Sequence, residues 1–183
     1  TRWYEQREAL YEVDEEPRAL YGLAQGAIDL MVPTPGGEMV TVHRAEPGFW
    51  IGDSALLSKS PRVVSVFAVS QSRIFCVPAE AVREIVRRNP EYWRCFYELS
   101  HMNVTRAISE YAIMASMQPR ERLRRLLLRL CDADGRVTIS QAELAGLLFL
   151  NRSSVQRAMR EMIAAGEVAT EYRCIRVLGG QAT

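Results

Sequence analysis

The chain has 183 residues, 48% of them hydrophobic, and its 23 Lys and Arg against 22 Asp and Glu leave a formal charge of +1. That length suits one large domain or two small ones, and the near-zero charge makes no overall electrostatic case for a nucleic-acid partner. Four scattered cysteines (Cys76, Cys95, Cys131, Cys174) form no CxxC or Cys/His pairing, no apolar run reaches a membrane span, and no signal peptide is visible. The expectation is a soluble cytoplasmic protein without a zinc or iron–sulfur site in this segment.

The opening TRWYEQREA is polar, helix-like or extended, and begins abruptly, so an original N-terminal segment is expected to be missing. From Glu8 to Val77 the pattern is one of short strands. Ala19–Ala24, Ala27–Val32, Met39–His43, Val63–Val69 and Arg73–Val77 are β-prone, and Gly26, Thr34-Pro35-Gly36-Gly37, Pro47-Gly48 and Gln71-Ser72 break them. Strands at this spacing with no helices between them predict an antiparallel roll or barrel.

One segment of the roll stands apart: Ile51-Gly52-Asp53-Ser54-Ala55-Leu56-Leu57, followed by Pro61-Arg62-Val63-Val64-Ser65. It resembles the phosphate-binding cassette of cyclic-nucleotide-binding domains, in which Phe-Gly-Glu opens a short helix and Pro-Arg-Ser/Thr-Ala follows. In such a cassette backbone N–H groups and one arginine hold the cyclic phosphate, and a carboxylate accepts from the ribose. Here Asp53 stands one methylene short of the family's Glu, and Val63 replaces the hydroxyl residue that assists the arginine. The competing reading is a structural turn in which Arg62 pairs with a nearby carboxylate.

Ala79–Arg88 predicts a short amphipathic helix with Val82, Ile85 and Val86 on one side, ended by Asn89-Pro90. From Glu91 to Met117 neither Gly nor Pro interrupts. Trp93, Ser100, Ala107 and Met114 recur at seven, with Tyr97, Val104 and Tyr111 between them. Three such heptads suggest a parallel helix pair and hence a homodimer; the alternative is a helix packed on its own roll. Gln118-Pro119 ends the helix as a hinge. Arg120–Cys131 then predicts a helix with Leu123, Leu126, Leu127 and Leu130 facing a core and Arg122, Arg124, Arg125 and Arg129 largely facing solvent. Asp132–Gly135 reads as a loop, and Val137–Ile139 as a short strand.

Residues 138–166 read as two helices back to back. Ser140 and Glu143 fit a capping box opening the first, whose Leu144, Leu147 and Leu148 recur at helical spacing. Asn151 caps the second, in which Val155, Ala158, Met159, Met162 and Ile163 form an apolar stripe that Gly166 ends. The opposite face carries Arg152, Ser153, Gln156, Arg157 and Arg160, with no apolar member. Two short helices with a tight turn and a basic second face describe a helix-turn-helix, although an αα-corner with an exposed basic face looks alike. Val168–Thr170 and Cys174–Leu178, separated by Glu171–Arg173, predict a hairpin that makes the unit a winged helix, with Arg173 at the wing tip in reach of a phosphate. Phe149 occupies the turn between the two helices, where a geometry free of positive φ is needed if strain is to be avoided. Residues 119–183 hold eleven Arg and seven acids, net +4, whereas residues 1–118 carry net −3. Opposite charge on the two parts fits a DNA-binding unit on a neutral or acidic partner domain.

In this order the parts resemble the Crp/Fnr family of bacterial transcription regulators over essentially the whole chain. The resemblance implies an α+β fold: an antiparallel, cyclic-nucleotide-binding-like β-roll over 1–88 that senses an effector, a dimerisation helix over 89–117, and a winged helix-turn-helix over 118–183. It implies a homodimer on double-stranded DNA at a pseudo-palindromic operator, with RNA polymerase as a further partner and no membrane role. The family's Arg-Glu-Thr-Val-x-Arg reads Arg152-Ser153-Ser154-Val155-Gln156-Arg157 here. Both arginines match and suit guanine, Gln156 suits adenine, and Ser140, Gln141 and Ser154 suit phosphates. Ser153 replaces the Glu that accepts from cytosine, so the usual half-site is not expected.

In the cyclic-AMP receptor protein a Thr-Ser pair on the long helix bonds the adenine. Ala107 and Ile108 stand there, and neither side chain can donate or accept. With Gly52, Asp53, Arg62 and Val63 they form the candidate effector pocket, in which cyclic AMP is disfavoured. His43 and His101 suggest no metal or haem site. No catalytic constellation stands out, so the chain is expected not to be an enzyme. The rival reading is a dimeric ligand-sensing module whose winged helix binds a protein.

Overall fold

The structure is a computed structural model that describes residues 1–172 and 174–178. It divides into one compact unit, Thr1–Ile108, and a second that begins at Ser109.

The first unit is an α+β roll. β1 (Arg2–Tyr4) and β2 (Ala9–Tyr11) come first, followed by β3 (Ala19–Gln25), β4 (Ile28–Pro33), β5 (Met39–Ala45) and β6 (Trp50–Ile51). After the short helix α1 (Asp53–Ser58) come β7 (Ser65–Ala68) and β8 (Ser72–Pro78). The strands form two antiparallel four-stranded sheets, ordered β1-β8-β3-β6 and β2-β7-β4-β5. Period-two alternation builds the core: Ile28 and Leu30 of β4 point in, while Asp29 and Met31 point out. Tyr4, Leu23 and Ile74 of one sheet meet Leu10, Ile28, Leu30, Val66 and Ala68 of the other.

The sequence pattern reads β3, β4, β5, β7 and β8. The polar β1 and the two-residue β6 lack an alternation long enough to read, and pairing alone makes them strands: Trp3 opposite Arg73, Tyr21 opposite Ile51.

The helix α2 (Ala79–Arg88) follows, then a 3-10 turn over Pro90–Tyr92 and the long α3 (Trp93–Ser116). Val82 and Val86 are buried, but Ile85 is exposed, because the buried stripe is narrower than the sequence suggests. Leu20, Leu56, Ala79 and Val82 make a second small core with Phe96 and Leu99 of α3, outside the first sheet.

The second unit contains α4 (Pro119–Leu130), β9 (Arg136–Val137), α5 (Gln141–Leu148), α6 (Arg152–Ala164), β10 (Val168–Glu171) and β11 (Cys174–Val177). Its sheet runs β10-β11-β9, so the hairpin is present and gains a third strand. That third strand is Arg136–Val137 rather than Val137–Ile139, since only these residues meet β11, Ile175 opposite Val137. Leu123, Leu126, Leu127, Leu144, Leu148, Val155, Met159 and Met162 form the core, while Ile163 is exposed at the rim.

Two of the α4 arginines turn inward, contrary to the solvent-facing reading. Arg122 Nη1 donates to Leu148 O at 3.2 Å, and Arg129 pairs with Glu110 at 3.0 Å. No helix among the described residues is long and apolar enough to cross a membrane.

Candidate nucleic-acid interface and roll pocket

Helix α5 opens on the capping box. Glu143 N donates to Ser140 Oγ at 3.2 Å, and Ser140 N donates to Glu143 Oε2 at 3.0 Å. At its other end Phe149 has φ 51° and ψ 44°, the left-handed region, so the turn takes the strained alternative. Three bonds hold it there: Phe149 N to Gly146 O, Leu150 N to Ala145 O, and the Arg122 guanidinium to Leu148 O.

Asn151 then starts α6, its Oδ1 accepting from Ser154 N at 2.8 Å. Gly166, at φ 70°, ends the helix: its N–H donates to Ile163 O, and Glu167 N donates to Met162 O. Both ends are therefore fixed, and with them the direction of every side chain between.

Val155, Ala158, Met159 and Met162 take the buried face, which turns Arg152, Ser153, Gln156, Arg157 and Arg160 to solvent. Among the described residues none of Arg152, Arg157 and Arg160 is in an ion pair. Gln156 Nε2 donates to Gln141 Oε1 at 3.3 Å, so the two helices present one continuous polar face. Ser153 Oγ donates to Asn151 Oδ1 at 2.8 Å and keeps only acceptor capacity for anything outside. Ser154 is half-buried beside the cap, and Ser140 also spends its hydroxyl proton on Glu143 Oε2. Arg173 lies outside the described residues.

In the roll, Gly52, Asp53 and Arg62 come together, but not as an open cradle. Gly52 caps α1 at φ 102°, and a Cβ there would sit 2.6 Å from Arg62 Nη1. Arg62 is 2% exposed. Its Nη1 donates to Gly52 O at 2.9 Å and its Nη2 to Ala19 O at 2.6 Å, while Cζ lies 4.2 Å from the centre of the Tyr11 ring. The expected carboxylate partner for Arg62 is replaced by two backbone carbonyls. Burial pushes the Tyr11 and Tyr21 hydroxyl pKa values up, and the Arg62 charge offsets this in part.

Asp53, 3% exposed, accepts from Ser100 Oγ of α3, and Asn103 Nδ2 donates to Trp50 O at 3.1 Å. Ser100 and Asn103 thus bind the cassette to α3. No sequence signal marked them for this; the heptad pattern had placed Ser100 in the dimer seam. Val63 is 75% exposed. Ala107 and Ile108 lie farther along α3 on its exposed surface.

Arg62 is buried with each Nη bonded to a backbone carbonyl, and Asp53 is buried with one oxygen bonded to Ser100, so in this arrangement neither side chain is turned out toward a cyclic phosphate or a ribose. Among the described residues no three His, Cys, Asp or Glu side chains gather as they would round a metal ion.

Residues 1–89 match the family described as the cyclic nucleotide-binding domain, and residues 121–181 match the Crp-like helix-turn-helix domain. The chain is 29% identical over 190 residues to the transcriptional regulator LdrP of Thermus thermophilus, spanning 96% of this chain and 90% of that protein. It is 25% identical over 169 residues to the cyclic AMP receptor protein of the same organism, spanning 91% of this chain and 78% of the relative. Among solved structures, a CRP-family transcriptional regulator, also from Thermus thermophilus, superposes with a TM-score of 0.79 at 24% identity, over 97% of this chain and 92% of that one.

Proposed function

The chain belongs to the Crp/Fnr family of transcription regulators, which are not enzymes, and from that premise we propose that it works in the cytoplasm as a homodimer on a pseudo-palindromic operator. Its domains are the effector roll over 1–88, the dimerisation helix over 89–117 and the winged helix over 118–183.

The observation that carries the reading is α6. A helix fixed at both ends offers Arg152, Gln156, Arg157 and Arg160 to solvent with its arginines outside any ion pair among the described residues. Two such helices in a dimer enter successive major grooves about one helical turn apart. Arg152 and Arg157 each take a guanine through O6 and N7, and Gln156 takes an adenine. Ser140, Gln141 and Ser154 donate to phosphate oxygens, Ser140 by turning its hydroxyl from Glu143; Ser153, whose proton is held by Asn151, accepts from a base amino group; and Arg173 serves the wing.

The dimer reading is supported by α3, where Trp93, Tyr97, Val104, Ile108 and Tyr111 are all exposed in the protomer along one stripe. An effector of unknown identity, with cyclic AMP disfavoured, acts through the roll region of Gly52, Asp53, Arg62, Val63, Ala107 and Ile108. Binding there shifts the winged helix about the hinge near Met117–Pro119.

The experiment is selection of duplexes from a random DNA library by the purified chain, with and without cyclic AMP at fixed salt. Enrichment of a two-fold site is expected, indifferent to the nucleotide. Recovery of the site only with cyclic AMP would overturn the effector reading. Salt-insensitive or absent DNA binding would favour a winged helix that docks on a protein.

A further inference from the structure

We propose that Gln141 is a positioning residue for base recognition: it orients the Gln156 carboxamide so that the helix reads adenine. The inference rests on the DNA-binding function proposed above and deepens it.

Two helix starts bring the residues together. The capping box at Ser140 makes Gln141 the first residue of α5, and the Asn151 cap fixes the phase of α6. Gln156 then stands on the exposed face, one turn from both Arg152 and Arg160. Its Nε2 donates to Gln141 Oε1 across 15 positions of sequence.

A glutamine carboxamide carries two N–H donors on nitrogen and an acceptor oxygen. Its terminal torsion is broad and roughly two-fold, so an unsupported glutamine can present either edge to a base. With one N–H given to Gln141 Oε1, and Gln141 held in that sense by turning its own Nε2 outward to a phosphate, the two-fold freedom is resolved. The second N–H and Oε1 project side by side in a fixed order.

A donor beside an acceptor complements N7 and the N6 amino group of adenine in the major groove. It is wrong for guanine, whose N7 and O6 both accept, because Oε1 would then face O6. Ser153 does not compete for the same edge, since its hydroxyl proton is committed to Asn151. The Gln141 Nε2 group remains free to donate to a phosphate oxygen, so one side chain both positions its neighbour and anchors the strand.

The test uses the full chain and the operator it selects. Affinity is measured for all four base pairs at each half-site position, for the wild type, Gln156→Ala, Gln141→Ala and Gln141→Glu. The wild type should prefer A·T at one position of each half-site by roughly five- to a hundredfold. Gln156→Ala should flatten that position and leave the others. Gln141→Ala should shrink the preference there by roughly two- to tenfold. Gln141→Glu should keep the preference, because a carboxylate still accepts from Gln156, while affinity for every sequence falls as a phosphate donor becomes a negative charge.

Equal loss on all four bases in Gln141→Ala, with the preference intact, would overturn the proposal and leave Gln141 a phosphate contact. So would an unchanged profile in Gln156→Ala. A wild type that selects no two-fold site overturns the DNA-binding function itself; in the other two failures the wild type still selects its operator.

Discussion

Arg157 and Arg62 show how position decides what a guanidinium does. Arg157 is exposed on a helix face with no acidic partner among the described residues, so its five donors remain for a ligand with paired acceptors. Arg157→Ala should cost roughly 1–3 kcal/mol on the selected operator and little on random duplexes, measured by titration at one salt concentration. Equal loss on both would reduce Arg157 to a backbone contact. Arg62 is buried, and the tyrosines beside it set a pH limit on the roll. Burial raises the folded pKa of Tyr11 and Tyr21, so the folded state holds these protons after the unfolded chain has released them. The stability they contribute is complete below the unfolded value of about 10 and is lost as pH rises beyond it toward the folded values. The denaturant midpoint of the roll should therefore fall above about pH 10, with the tyrosinate absorbance of Tyr11 and Tyr21 appearing only with unfolding. A midpoint flat through that range would show that these hydroxyls reach solvent.

At the scale of elements, α3 divides its labour lengthwise and around its girth. Phe96, Leu99, Ser100 and Asn103 face the roll, while Tyr97, Val104, Ile108 and Tyr111 are left exposed. Val104→Glu with Tyr111→Glu puts charge on the exposed stripe alone. Sedimentation should show the dimer dissociation constant raised by at least about tenfold, roughly 1.4 kcal/mol, with the unfolding midpoint of the isolated protomer unchanged. A dimer of unaltered affinity would place the interface elsewhere. The same helix marks what the sequence makes legible. Its extent, the two capped helices and five of the roll strands follow from periodicity and cap residues, which are local. The heptad count could not tell that Ser100 leaves the seam to bond Asp53, because that choice belongs to a partner 47 residues away. Phe149 is similar: the residue argues against a left-handed turn, and one of the three bonds that hold it, from Arg122 to Leu148 O, comes from a different helix that the local sequence does not show. The exposed polar face of α6 was legible because solvent exposure on a capped helix is nearly the complement of its apolar stripe.

For the whole molecule, the question is what Arg62 is for. A motif that resembles a phosphate-binding cassette has been turned into internal structure: its arginine joins β3 to the cassette through Ala19 O and Gly52 O, and its aspartate joins the cassette to α3 through Ser100. The two roles predict opposite results for Arg62→Ala. An arginine kept for a ligand leaves the unliganded fold nearly untouched when removed. An arginine bonded to two buried carbonyls takes a donor from each when removed, at about 1–3 kcal/mol for Ala19 O and less for Gly52 O, which keeps Leu56 N at 3.3 Å, and it leaves the cavity of a large buried side chain. The observed geometry therefore predicts a loss of about 3 kcal/mol or more, seen as a melting temperature lowered by roughly 10 °C or more in a unit of this size. Cyclic AMP should leave the wild-type melting temperature where it is, whereas a ligand present at a hundred times its dissociation constant would stabilise the fold by about 2.7 kcal/mol. A wild type that melts higher with the nucleotide, together with an Arg62→Ala chain that melts normally without it, would return the cassette to its phosphate-binding role. A destabilised variant and an indifferent wild type would mean that the roll has kept the cassette's shape and spent its chemistry on holding α3 in place.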